Sequence, residues 1–89
     1  MSLKRYAVKR DANEPEIIDA LEKAGAMVTQ LDRPVDLLVD YRQRWRLLEV
    51  KVSHAARLTD YQANFIQTHP GMVDIVWTPM MALKAIGAQ

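Results

Sequence analysis

The chain reads as a small α/β domain with a mixed sheet of about four strands flanked by helices, in the order α-β-β-β-α-β-α, and three observations predict it. Short apolar runs of period two alternate with stretches of helical period. Three of the strand-like runs follow one another across polar turns, which implies an antiparallel meander. A helix then separates the third strand from the fourth, and a strand–helix–strand crossover favours parallel pairing. The 89 residues, 49% hydrophobic and 26% charged, suit one domain with a thin core, and no linker or repeat divides 1–89.

The first ten residues read as a loose arm or a short added strand. "NEPEIIDALEKAG" is the first helix. Asn13 is placed to cap it, Glu16 follows three residues on, Pro15 falls in the tolerant first turn, and Gly25 stops it. "AMVTQL" is a strand, Asp32 to Pro34 a turn, and "VDLLVDY" a second strand that runs into the polar turn "RQR". "WRLLEVKV" returns as the third strand. After "SHAAR", the segment "LTDYQANFIQTHPG" carries Leu58, Tyr61, Phe65 and Ile66 at helical spacing and ends at Pro70-Gly71. "MVDIVW" is the last strand, and Pro79 opens a closing helix, "MMALKAIG".

Composition narrows the chemistry. The chain has no cysteine and two histidines, so thiolate sites are excluded and any metal would be held by oxygen. No run approaches the roughly 20 apolar residues of a membrane span, which points to a cytoplasmic protein. A net charge of +1 does not diagnose a nucleic-acid binder. The signs are nevertheless segregated, with Lys4, Arg5, Lys9 and Arg10 leading and Arg42, Arg44 and Arg46 clustered later, a hint toward a polyanion.

Charged and polar groups also converge. Glu49 and Lys51 sit two apart in "LLEVKV" and so share a strand face, and Asp36 opens the antiparallel partner strand. At about 100° per residue, Glu14 falls within the apolar stripe of the first helix, with Ile18, Leu21 and Gly25, so its carboxylate points at the sheet. Gln62 points inward on the second long helix. Each has an ordinary explanation: Glu49–Lys51 as a cross-strand ion pair, Glu14 favoured by the helix dipole, and Thr59-x-x-Gln62 as a capping box.

Asn13-Glu14 opening a helix, Pro34-Val35-Asp36 opening a strand, Glu49-Val50-Lys51 on its partner and "LTDYQ" beginning the next helix together resemble the PD-(D/E)XK nuclease superfamily. Within it the pattern is most similar to small stand-alone VRR-type nuclease modules of phages and bacteria, related to archaeal Holliday-junction resolvases. The resemblance covers roughly residues 10–78; Val35 stands where the family commonly has proline directly before the aspartate. It implies a restriction-endonuclease-like core in a prokaryotic or phage-encoded protein, and a Mg²⁺-dependent endonuclease acting on DNA, with selectivity for branched, flap or junction substrates as a further extension.

On that resemblance, Asp36, Glu49 and the backbone carbonyl of Val50 hold Mg²⁺, for which Mn²⁺ can substitute, and Glu14 supports the ion directly or through water. Lys51 is the catalytic neighbour, and Gln62 lies at the edge of the site. From the residues themselves, Ser53, His54 and Arg57, with Arg42, Arg44 and Arg46, are the expected nucleic-acid contacts; Arg57 is the better placed, and ordinary solvated charge is an equal alternative for the three hairpin arginines. A catalytically inactive nuclease-fold protein that binds nucleic acid or serves as a scaffold is the competing expectation, and a small α/β interaction domain the blandest. Met80, Met81, Leu83, Ala85 and Ile86 surround the last helix, so a homodimer or higher symmetric oligomer is also expected.

Overall fold

In a computed structural model of the protein, residues 10–89 are described; the arm read from the first ten residues, with Lys4, Arg5 and Lys9, lies outside them except for Arg10. The elements follow the expected order: α1 (Glu14–Lys23), β1 (Met27–Gln30), β2 (Leu37–Tyr41), β3 (Arg44–Val50), α2 (Asp60–Thr68), β4 (Val73–Val76) and α3 (Pro79–Ile86). They form one mixed sheet of strand order β1-β2-β3-β4. The first three strands are antiparallel, and β4 joins β3 in parallel after the α2 crossover.

Local chemistry sets the turns. The β2–β3 hairpin closes through Arg42 and Gln43, both at positive φ, 55° and 66°, the backbone that a two-residue type I′ connection demands. Arg44 pairs with Tyr41, so it begins β3 rather than completing a three-residue turn. Gly25 follows α1 at φ 99°, a left-handed conformation that glycine enters without a Cβ clash. The amide of Ala26 then reaches back to Leu21 O at 3.0 Å.

Side-chain alternation divides the sheet into two faces. Leu37, Val39, Leu48, Val50 and Val76 form the core with Ile17 and Leu21 of α1 and Ala82 of α3. Each of these leucine, valine and isoleucine side chains contributes roughly 1.5–3 kcal/mol by leaving water. Met81, Leu83, Ala85 and Ile86 pack against this cluster, and of the large apolar residues on α3 only Met80 stands exposed. The apolar surplus read around α3 is therefore largely absorbed by the domain itself, so Leu83→Glu or Ile86→Glu would report on folding rather than on an interface. On the other face, Met27, Asp40 and Trp45 stand in line across three strands, with Met27 and Trp45 both well exposed.

Asn13 does not cap α1 with its side chain. Its amide instead donates to Lys51 O and to Trp77 O, both at 2.9 Å, and so ties the start of α1 to the ends of the two parallel strands. That clamp places Glu14, the next residue, at the same end of the sheet.

Candidate active site

Three carboxylates meet where β2 begins and β3 ends. Asp36 lies in a bend one residue before β2, next to the Leu37–Leu48 pair that ends the β2–β3 ladder. Asp36 Oδ2 accepts the Val50 amide at 2.8 Å. In an extended strand the N–H and C=O of one residue leave on the same edge, so the Val50 carbonyl is directed toward Asp36 as well. Glu14 enters from the start of α1. Although ionisable, Glu14 and Glu49 are each only 1% exposed.

Their second partners differ. Gln30 Nε2 donates to Glu14 Oε2 at 3.1 Å. Arg10 spans two of the acids: its Nη1 donates to Asp36 Oδ1 at 3.3 Å and to Leu31 O at 3.1 Å, and its Nε lies 3.6 Å from Glu14 Oε2. Lys51 Nζ sits 3.2 Å from Glu49 Oε2 and donates to Gln62 Oε1 at 3.1 Å. Gln62 serves both purposes open to it from sequence. Its Oε1 accepts the Thr59 amide at 3.0 Å to complete the capping box of α2, while its Nε2 donates to Glu49 Oε2 at 2.7 Å. The cap orients the residue that tethers α2 to the site.

Like charges at this density are costly. Burial pushes the Glu49 carboxyl up to about 7, helped by the Asp36 charge and opposed by Lys51. Glu14 is also raised, chiefly by burial, against the lowering pull of Gln30 and Arg10. Between pH 4.5, the ordinary glutamate value, and about 7, the folded metal-free protein keeps a proton on Glu49 that the unfolded chain has released. Its stability should consequently fall as pH rises through that window. Urea unfolding at about pH 5 and about pH 8 in the presence of chelator checks this: a lower midpoint at the higher pH is expected, with a smaller difference in Glu49→Gln.

The donor set is all oxygen. Among the described residues, no three His, Cys, Asp or Glu side chains are arranged as a metal-holding group. Mg²⁺ asks for less, commonly one or two carboxylates with waters completing its octahedron. Asp36, Glu49 and the Val50 carbonyl meet that requirement. Among the described residues, Glu14 Oε1 and Glu49 Oε1 are buried acceptors without a hydrogen-bond partner, an arrangement that is costly once the acids ionise and that a hard cation or its waters would relieve. The residues present thus fit a hard divalent ion.

Of the expected nucleic-acid contacts, Ser53, His54 and Arg57 line a cavity that also includes Lys51. Arg42 and Arg44 belong to the far end of the β2–β3 hairpin, about 17 Å from Asp36 by strand rise; Arg42 lies over the Tyr41 ring, and Arg46 is paired with Asp74. Four neighbours of the site do not stand out in the sequence: Gln30, the side-chain role of Asn13, Trp77 at the end of β4, and Arg10, which reads as one of several basic residues although its i, i+4 spacing from Glu14 signals a pair. No protein-family model, no curated protein and no solved structure matches this chain.

Proposed function

We propose that the chain is a Mg²⁺-dependent nuclease that hydrolyses DNA phosphodiester bonds in the cytoplasm of a bacterium or phage-infected cell. The observation that carries this reading is the convergence of Asp36, just before β2, and Glu49, near the end of β3, with Lys51 beside Glu49 and, among the described residues, a buried Glu49 oxygen without a hydrogen-bond partner. Asp36, Glu49 and the Val50 carbonyl hold the ion, with Glu14 supporting it. When bound, Mg²⁺ polarises the scissile phosphate and lowers the pKa of an attacking water. The Lys51 ammonium orients that water and offsets negative charge growing on the phosphoryl oxygens. Gln62 fixes both partners, since it donates to Glu49 and accepts from Lys51. Incubating the protein with duplex, single-stranded, flap and four-way-junction DNA, with and without Mg²⁺ or Mn²⁺, tests the reading. Metal-dependent cleavage of at least one substrate is expected, and no cleavage of any would contradict it.

One observation favours a second reading, a non-catalytic nucleic-acid-binding protein on the same fold. The Arg10 guanidinium already supplies a positive charge between Asp36 and Glu14. On the nuclease reading Arg10 competes with the ion, so Arg10→Ala should bind Mn²⁺ more tightly, by about three- to tenfold, because a like charge and a claim on Asp36 Oδ1 are both removed. Calorimetric titration checks it: unchanged or weaker affinity would mean that Arg10 does not compete.

A further inference from the structure

Beside the carboxylates, on the far side of Lys51, the protein surface folds into a cavity of about 470 Å³, within the size range of small-ligand sites. Its walls come from the end of β3, the loop after it, and β4. Trp77, half-buried at the end of β4, faces the His54 ring at 5.8 Å between centroids and 49° between planes, so the two rings form a corner rather than a closed stack. Ile75, Ala56 and Leu58 supply apolar wall, and Lys51 and Arg57 supply charge. Among the described residues, no carboxylate lines it. A ligand matched to these walls has a flat aromatic part and an anionic part.

We propose that this cavity takes one unpaired nucleotide of the nucleic acid being cut, its base against Trp77 and its phosphate at Arg57. Base–aromatic stacking beside a cationic rim is the general means of holding single strands, because every base offers a π-face. A base inside a duplex has both faces covered by its neighbours, so only an unpaired, frayed or extruded nucleotide can present one. Lys51 belongs both to the cavity and to the carboxylate site, so a nucleotide held here would leave an adjoining phosphodiester near Glu49. The proposal rests on the nuclease reading for that last step alone and gives it a substrate class: strands with an unpaired nucleotide next to the cut, in preference to continuous duplex.

The chain has two tryptophans, so Trp45→Phe, a change on the exposed sheet face, leaves Trp77 as the only indole reporter. In chelator, where no cleavage occurs, that protein is titrated with a short oligothymidylate, with an abasic oligomer of equal length and charge, and with a blunt hairpin duplex. Saturable quenching by the oligothymidylate and little by the other two is expected. Trp77→Leu should weaken oligothymidylate binding, followed by anisotropy, by at least about fivefold. Arg57→Ala, which leaves the core untouched, should weaken it and reduce the salt slope by about one. Equal quenching by the abasic oligomer or the duplex, absence of quenching, or unchanged binding in both Trp77→Leu and Arg57→Ala would overturn the pocket. The outcomes separate from those of the nuclease reading: quenching without cleavage in Mg²⁺ would keep the pocket and remove the enzyme, whereas cleavage without quenching would do the reverse.

Discussion

Asp36→Ala and Glu49→Ala are each expected to abolish metal-dependent cleavage, a loss of about a thousandfold or more, because each removes one of two carboxylates on which the ion's position depends. Their structural costs differ. Glu49 is a buried acid raised to about 7; replacing it relieves crowding against Asp36, which offsets the loss of the acceptor for Gln62 and of the partner for Lys51. Asp36 also accepts the amide of Val50, which is 1% exposed. Its removal to alanine leaves that buried N–H unpaired, at about 1–3 kcal/mol. Asp36→Asn keeps an acceptor in place and should lose cleavage with a smaller loss of stability. The check is a single-turnover cleavage assay on purified variants whose folding is followed by urea unfolding. Wild-type cleavage by either folded variant would remove these residues from the site.

Lys51→Ala should lose about a hundredfold in turnover while retaining the capacity to bind the ion, but the pH dependence of binding should change. The Lys51 charge and hydrogen bond hold the Glu49 carboxyl lower than burial and Asp36 alone would leave it. Without them the carboxyl rises further, and a proton competes with the metal over a wider range. Mn²⁺ affinity in Lys51→Ala should thus fall below wild type near neutral pH, where the proton competes, and reach or exceed it in more alkaline buffer, where only the loss of a like charge beside the ion remains, with turnover depressed throughout. Calorimetry across pH checks this. If affinity were lost equally at every pH, Lys51 would be holding the site together rather than acting in the chemistry.

Much of this arrangement was legible in the sequence because it depends on periodicity. Glu14 fell in the apolar stripe of α1 and is buried; alternation put Glu49 and Lys51 on one face, and they lie 3.2 Å apart. Elements of short range, such as the Thr59–Gln62 cap, were visible for the same reason. What sequence reasoning missed depends on contacts between distant segments. Asn13 looked like a helix cap because its residue type and position favour one, yet its amide is claimed by two strand-end carbonyls 38 and 64 residues away. Arg10 and Gln30 satisfy carboxylates whose position only the folded sheet defines. The apolar circumference of α3 suggested a partner because a helix projection does not reveal that α1, β3 and β4 all contact it.

If Asp36 and Glu49 together hold one divalent cation, as proposed, Mn²⁺ titration followed by electron paramagnetic resonance detects it without reference to activity. One bound Mn²⁺ per wild-type chain is expected at mildly alkaline pH, displaced by excess Mg²⁺, with at least about a tenfold loss of affinity in both Asp36→Asn and Glu49→Gln. Failure of the wild-type protein to bind Mn²⁺, or binding that neither substitution weakens, would contradict it.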